Sequence, residues 1–211
     1  MYTMRSIVIA ALALMPALCS AQLKNAENNA DIKKIEAANK EVSTIECGFV
    51  RTTTVAAVKS ETKSEGTFYF SNPTNLSMKY ADGETFVVTA DNVSVTIGGK
   101  SRTLRSGNHH VEALSETLLH CVKGEVSAVE GTLSSAKTVG KNVVLKIATN
   151  MSMNRSKVKT IELAYDKNDG TLVSLNMIEA DGSSTKYDLQ EKKLNKPIDA
   201  KVFEHAKKKR K

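Results

Sequence analysis

The sequence predicts an α+β single domain, built from one curved antiparallel sheet and two or three helices. Three observations indicate this fold. Many short segments alternate apolar and polar residues with a period of two, and turn signals such as Asp181-Gly182 separate them. Two other segments place apolar residues at the spacing of an amphipathic helix. At 211 residues, with 41% hydrophobic and 25% charged residues, the chain has the composition of a globular protein with its own core.

The first 21 residues are typical of a secretory signal peptide. Arg5 precedes an apolar run, Ile7–Leu18, which is shorter than the roughly 20 residues of a membrane span, and small residues follow it. We therefore expect cleavage after Ala21 and export of a soluble mature chain. A lipidated Cys19 would instead anchor the chain in a membrane, but Leu18 stands where lipoprotein processing needs a small residue.

One domain is expected at 22–206, followed by a basic tail at 207–211. The formal net charge is +7, but the tail and the signal peptide carry most of the excess positive charge, so the body is close to neutral. Nucleic-acid binding needs positive charge spread over a folded surface, which argues against a nucleic-acid partner. The tail is either a transient contact with anionic membrane head groups or a solvated end.

Two segments predict the helices, at 30–42 and 109–122. Each carries a single apolar stripe, and Gly124 follows the second segment as a typical C-terminal stop. The stripes consist of Ile32, Ile35, Ala38 and Val42 in the first helix, and Val111, Leu114, Leu118 and Val122 in the second.

Strands are predicted wherever the alternation is clear. The segment 125–141 has only a weak pattern and is predicted to be mostly loop. The regular spacing of the last four strands indicates an antiparallel meander. The predicted strands are 43–58, 66–70, 76–80, 86–90 and 93–97, a polar edge strand within 100–107, and then 143–149, 158–165, 172–178 and 184–189.

The hairpin at 64–80 has the most pronounced alternation. Gly66 is expected to begin its first strand at a bulge or bend. Pro73 cannot donate a ladder hydrogen bond, so the turn is predicted at 71–74. The apolar faces consist of Phe68 and Phe70 in the first strand, and of Leu76, Met78 and Tyr80 in the second.

The mature chain has two cysteines, Cys47 and Cys121. Cys47 alternates with Ile45 and Phe49 and is therefore expected to face the interior. Cys121 follows the apolar stripe of the second helix. An oxidising compartment would permit a disulfide between them, and the alternative is two buried thiols that act as small hydrophobic residues. The sequence leaves both open.

No motif indicates an enzyme, a cofactor or a metal ion. Adjacent side chains point in different directions, so the pair His109-His110 is a poor chelate. His120 and Cys121 lack an identifiable third group that would make them a base and a nucleophile. The remaining alternatives are a fully packed sheet and a sheet that encloses a hydrophobic cavity for a lipid chain, and composition does not separate them.

The order of motifs along the mature chain resembles that of the LolA-type periplasmic carriers of outer-membrane lipoproteins. The motifs span nearly all of the expected domain. They are the helix at 32–42, Phe49-Val50-Arg51, Gly66–Tyr80, Val87–Val95, Ile161–Asp166, Asp181–Leu189 and Ile198–Phe203.

The resemblance implies an incomplete (half) β-barrel with a helical lid over a hydrophobic cavity. It implies a monomer in the periplasm that takes the acyl chains of lipoproteins from an inner-membrane ABC transporter and delivers them to an outer-membrane acceptor, which the sequence does not identify. Transferred by position, the cavity residues are Phe49, Phe68, Phe70, Leu76, Met78, Tyr80 and Val88, and the lid residues are Ile32, Ile35, Leu114 and Leu118.

Two positions depart from the family pattern. Arg51 stands where the family favours glutamine, and Asn72 precedes Pro73 where well-known members carry an arginine that holds the lid closed. The resemblance therefore implies a cavity in this chain, but it does not imply how the lid is held closed. A lipid- or lipoprotein-binding sensor or receptor module on the same fold is the alternative function.

Overall fold

The structure is a computed structural model that describes residues 23–26, 29–90, 92–104, 109–149, 152–153 and 156–204. The expected signal peptide and basic tail lie outside these residues. The strands are β1 (Leu23–Lys24), β2 (Thr44–Val55), β3 (Ser60–Ser71), β4 (Asn75–Tyr80), β5 (Thr85–Val88), β6 (Val93–Ile97), β7 (Lys100–Leu104), β8 (Gly131–Val139), β9 (Asn142–Ala148), β10 (Ser152–Met153), β11 (Ser156–Asp166), β12 (Leu172–Glu179) and β13 (Ser184–Leu194). The α-helices are α1 (Ala30–Asn39) and α2 (His109–Val122), and short 3-10 helices lie at Ala56–Val58, Val126–Ala128 and Ala200–Phe203.

Twelve strands form one open sheet in the order β1-β8-β9-β11-β12-β13-β2-β3-β4-β5-β6-β7, and β10 pairs with β11. The described pairs are antiparallel except for the short parallel contact of β1 with β8. Over the described residues, the two edge strands β1 and β7 do not pair with each other, so the barrel is not closed. The predicted α+β fold with an incomplete barrel is confirmed.

The long hairpin of β2 and β3 extends the predicted strands. The two strands pair without interruption from Thr44 opposite Ser71 to Val55 opposite Ser60. Gly66 lies within β3 rather than at its start, and the pairing has no bulge there, so that prediction was wrong. The ring of Phe49 on β2 fills the space beside Gly66: a Cβ atom there would lie 2.6 Å from Phe49 Cζ.

The predicted loop at 125–141 contains a strand, β8, which pairs with β9. A bulge between Leu133 and Ser135 breaks the alternation. Leu133 lies opposite Ile147, and Ala136, three residues later, lies opposite Leu145. A bulge inserts one extra residue, so a period-two pattern across it cannot be recognised in the sequence.

Helix α1 is fixed at both ends by side-chain hydrogen bonds. The Asn29 side chain accepts from the amides of Asp31 and Ile32, at 3.0 Å and 3.1 Å, which caps the N-terminus. Near the other end, the Asn39 side chain donates to the carbonyl oxygen of Gly170 at 2.6 Å, and this bond ties the helix to the turn between β11 and β12.

Helix α2 is held at its C-terminal end. The Tyr165 hydroxyl, which is fully buried on β11, donates to the carbonyl oxygen of Cys121 at 2.7 Å. Gly124 ends the helix with a φ of 67°, as expected for a glycine after a helix C-terminus. Over the described residues, neither helix is long and apolar enough to cross a membrane.

Candidate functional site

The strand register lines up the apolar residues of the hairpin in rows across the sheet. The rows lie on one face of the sheet, because strand partners point to the same side. This face is concave, since it lines a cavity together with residues from distant strands. The row nearest the turn between β3 and β4 contains Ile45, Phe70, Leu76 and Val88, and the next row contains Cys47, Phe68, Met78 and Phe86. The predicted period-two faces of the hairpin are therefore one continuous apolar surface.

An apolar cavity of about 30 Å³ lies between this surface and α2. Leu76 of β4 and Leu175 of β12 both line it, although four strand-to-strand steps separate them in the sheet. In a flat sheet that separation would be about 19 Å, so the sheet must curve strongly around the cavity. The lining residues are Phe68, Leu76, Met78, Leu118, Val122, Leu172, Leu175, Tyr187 and Leu189.

A wider groove of about 260 Å³ adjoins the cavity, and Met78, Leu118 and Tyr187 line both. Apolar and polar side chains are interspersed in its lining; Met177 and Thr185, for example, lie directly opposite each other on neighbouring strands. Arg51, Tyr80 and Tyr187 form one polar cluster, called here the polar end, because Arg51 lies opposite Tyr187 in the register and against the Tyr80 ring. The apolar lining residues are Met78, Phe86, Val95, Ile97, Leu118 and Met177, and the other polar ones are Thr53, Glu84, Thr85, Thr96 and Thr185.

Aromatic rings surround the charged group at the polar end. The Arg51 guanidinium lies 4.5 Å from the centre of the Tyr80 ring, and its Nε donates to Ser64 Oγ at 2.9 Å. The Tyr80 ring stands edge-on to Phe49, with ring centres 5.0 Å apart, and its hydroxyl is 3.4 Å from that of Tyr187. Burial, followed by the neighbouring Tyr187, raises the pKa of Tyr80 well above its ordinary value, so its hydroxyl acts as a neutral donor and acceptor.

Several of the predicted cavity residues come together around the cavity and the groove. Phe68, Leu76 and Met78 line the cavity, and Met78 and Tyr80 line the groove. Phe49 is buried behind the groove against the Tyr80 ring. The other two, Phe70 and Val88, belong to the buried core and line neither space.

Of the predicted lid residues, Leu118 on α2 lines both spaces. Leu114 belongs to the same helix, and its side chain lies outside the described part of the structure. On α1, Ile32 and Ile35 are buried in the core but line neither the cavity nor the groove. Helix α1 instead packs beside the turn that contains Gly170, so α2 is the helix that covers the cavity.

Cys47 and Cys121 are both free and buried, so the disulfide that the sequence left open is not formed. Cys47 belongs to β2, whereas Cys121 is held to Tyr165 of β11, and two strands lie between β2 and β11. A disulfide needs Cα atoms within about 7 Å. Burial raises the pKa of each thiol from 9.0 to about 12.

Strand β13 supplies site residues that were not among the predicted cavity residues. Tyr187 and Leu189 line the cavity, and Thr185 lines the groove. The alternation of Thr185, Tyr187 and Leu189 could have identified them, because these residues share one face of a strand. Their position next to β2, far away in sequence, is a matter of topology and is not evident from that pattern.

No group of three or more His, Cys, Asp or Glu residues in the described part of the chain could hold a metal ion. The site offers an apolar surface, several hydroxyl groups and two charged side chains, Arg51 and Glu84. These groups suit the binding of an amphipathic molecule by burial of its apolar part and hydrogen bonding of its polar part.

Three solved structures illustrate the similarity of this chain to known proteins. An uncharacterized conserved protein from Thermus thermophilus matches with 9% identity and a TM-score of 0.52, over 84% of this chain and 93% of its own. A LolA superfamily protein from Nitrosomonas europaea matches with 14% identity and a TM-score of 0.43, over 83% and 96%. Lipoprotein LppX from Mycobacterium tuberculosis matches with 13% identity and a TM-score of 0.43, over 81% and 96%.

In sequence, no curated protein matches the chain. A family-level comparison does match, to the family described as outer membrane lipoprotein carrier protein LolA, over residues 40–206. The matched range contains every described strand except β1, the whole of α2, and all the residues that line the cavity and the groove. This chain therefore belongs to the LolA family of outer membrane lipoprotein carrier proteins.

Proposed function

We propose that this chain is a periplasmic chaperone that binds the acyl chains of lipoproteins between α2 and the concave face of the sheet. Residues 1–21 direct its export, residues 22–206 form the carrier domain, and the basic tail at 207–211 makes transient contact with a membrane surface. An inner-membrane ABC transporter donates the cargo, which leaves at the outer membrane.

The observation that carries this proposal is the apolar cavity beneath α2. Its lining consists of aliphatic, methionine and aromatic side chains from both halves of the sheet and from the helix. Moving an acyl chain from water into such a space is favourable by about 0.8 kcal/mol for each CH₂ group. A dozen buried CH₂ groups would therefore provide about 10 kcal/mol before the costs of binding.

Cargo binding requires α2 to move away from the sheet. The cavity of about 30 Å³ and the groove of about 260 Å³ are together smaller than most ligand pockets, which measure about 300–1,000 Å³. The C-terminal end of the helix is anchored by Tyr165. Rotation of α2 about this end would enlarge the cavity while keeping the helix attached.

The test is binding of a fluorescent dipalmitoylated lipopeptide to the mature chain and to three variants. Met78→Glu should abolish binding, because it places a carboxylate in the cavity wall, whereas Lys167→Glu, on an exposed turn, should bind as the unaltered chain does. Met78 is buried, so circular dichroism must show that the variant folds. Leu118→Glu, at a half-buried position on α2, provides a second test with less risk to folding. Equal binding by all four proteins would exclude the cavity as the site.

A transfer assay distinguishes a carrier from the alternative, a lipid- or lipoprotein-binding sensor. A carrier releases bound lipopeptide to acceptor vesicles, whereas a sensor retains it.

Deletion of residues 207–211 should weaken attachment to anionic vesicles without loss of folding. Unchanged attachment would remove the tail from the proposal.

A further inference from the structure

We propose that the groove beside the cavity binds the anionic head group of an acyl-chain ligand, a carboxylate or a phosphate, and that Arg51 is the residue that recognises it. This inference rests on the proposed function, because the apolar chain of the ligand would occupy the same cavity. It adds the chemical class of the head group, which acyl-chain burial alone does not specify.

Arg51 carries a charge that no described carboxylate balances. Its contacts include a hydrogen bond to a serine hydroxyl, Ser64 Oγ, and stacking on the Tyr80 ring. No carboxylate among the described residues lies within ion-pair distance of its guanidinium. Glu84 lines the same groove but makes no ion pair with Arg51. A half-buried guanidinium has terminal N–H donors suited to the two oxygens of a carboxylate or a phosphate.

The Arg51 charge lies next to the apolar space beneath α2. Arg51 lies at the polar end of the groove together with the hydroxyls of Tyr80 and Tyr187. Tyr187 also lines the cavity, so the polar end and the apolar space share a wall. A ligand with its anionic oxygens at Arg51 can therefore extend its chain past Tyr187 towards Met78 and Leu118, which line both spaces.

Aromatic packing holds Arg51 in place. The Tyr80 ring on which Arg51 stacks is itself fixed against Phe49, with ring centres 5.0 Å apart. Phe49 is buried, and its ring also lies 5.9 Å from that of Tyr187. A guanidinium held in this way loses little freedom when it binds a ligand, which favours recognition. The acylated cysteine of a lipoprotein offers only uncharged ester and amide oxygens, so Arg51 adds a second class of ligand, single lipids with an anionic head group, to the lipoprotein cargo.

The experiment compares three probes with one chain length: dodecanoate, dodecyl phosphate and dodecanol. Calorimetric titration of the mature chain should show that the two anions bind at least tenfold more tightly than the alcohol. Arg51→Gln should remove this preference while leaving the affinity for dodecanol unchanged. Arg51→Lys should keep part of it, because a lysine retains the charge but not the forked geometry.

Two variants serve as charge controls. Lys186→Gln removes a cation from the same region of the sheet, but Lys186 pairs with Thr52 on the outer face and is partly exposed beside Asp188, so the preference should persist. Glu84→Gln removes the carboxylate of the groove and should preserve or strengthen anion binding. Weaker anion binding by Glu84→Gln would mean that the anionic head group does not lie beside Arg51 in this groove, and the inference would be wrong.

The remaining outcomes separate this inference from the proposed function. Equal affinity for the three probes would overturn the role of Arg51 and leave acyl-chain binding intact. Binding of none of them would overturn both proposals. A persistent anion preference in Arg51→Gln would also overturn the role of Arg51. Tighter binding of dodecyl phosphate would support the role of Arg51 for phosphate-headed lipids, and tighter binding of dodecanoate would support it for free fatty acids.

Discussion

The ring of Phe49 covers the backbone of Gly66 on the neighbouring strand, and a Cβ atom at residue 66 would lie 2.6 Å from Phe49 Cζ. It would also overlap the carbonyl oxygen of Lys79 on the following strand. Phe49 in turn contacts the ring of Tyr80. A glycine is therefore needed at this position so that three neighbouring strands can pack the aromatic group beside the groove.

This relationship predicts that Gly66→Ala destabilises the protein by about 2–3 kcal/mol, within the range found for overpacked sites. Urea unfolding of the variant and the unaltered chain would measure the change. Gly48→Ala is a matched control on β2, because a Cβ there would meet only Gln190 O, at 3.9 Å. Equal losses in the two variants would contradict the close packing at Gly66.

Tyr165→Phe should reduce the free energy of unfolding by about 1 kcal/mol, since it removes the buried hydrogen bond to the carbonyl of Cys121. The amide of Gly124 also donates to that carbonyl, at 3.2 Å, so the oxygen is not left without a partner. Tyr69→Phe is the control, because Tyr69 is only half-buried and the structure gives its hydroxyl no hydrogen bond to a described residue. If Tyr69→Phe proves equally destabilising, the tether between α2 and β11 has no special role.

The two thiols should react slowly with iodoacetamide at pH 8 in the folded protein and rapidly in urea. Only the thiolate reacts, and burial raises the pKa of both Cys47 and Cys121 to about 12. Mass spectrometry after timed quenching would give the two rates. Comparable rates in the folded and unfolded protein would show that the thiols are accessible.

The same pKa shifts determine the direction of a pH effect on stability. The thiols have a higher pKa when folded than the ordinary value of 9.0, so the folded state binds more protons between pH 9 and about 12. Their contribution to stability is complete below pH 9 and decreases as the pH rises through this interval. The double variant Cys47→Ala, Cys121→Ala should lose stability less steeply between about pH 8 and 10.5. Identical slopes would mean that the thiols do not titrate with unfolding.

Leu118→Trp should weaken lipopeptide binding at least tenfold, because the larger side chain occupies the space between α2 and the sheet. The expected loss corresponds to about 1.4 kcal/mol of binding free energy. Glu116→Trp adds the same side chain at an exposed position of α2 and should bind normally. If Leu118→Trp also binds normally, cargo does not pass beneath this part of the helix.

Much of the fold was evident from the sequence because alternation marks a strand with one buried face. The hairpin faces of Phe68 and Met78 were predicted correctly, and their register makes them neighbours. The first half of β3, from Ser60, was not predicted, because it lies mostly in the exposed part of the hairpin and carries no apolar alternation. The end of β13 was missed for a different reason. Its register shifts after Gln190, where Glu191 has a φ of 50°, so the alternation of side chains is interrupted.

The candidate site could be predicted only in part. The resemblance to the family gave the concave residues of the hairpin and of α2, but the family pattern does not indicate what an arginine does in place of glutamine. The role of Arg51 depends on its distances to Tyr80 and Ser64. The contribution of Tyr187 depends on the pairing of β13 with β2, which are far apart in sequence. The positions of Arg51 and Tyr187 in the site therefore follow from the tertiary structure.

The most direct test of the carrier proposal is native mass spectrometry of the protein purified from the envelope of its own host. We expect a mature chain that begins at Gln22 and carries one acylated protein or lipid, which Met78→Glu does not retain. The proposal would be contradicted by protein that is purified from the envelope without bound lipid or acylated protein and that also takes up no added dipalmitoylated lipopeptide. In that case the space beneath α2 would be a small void in an otherwise packed core.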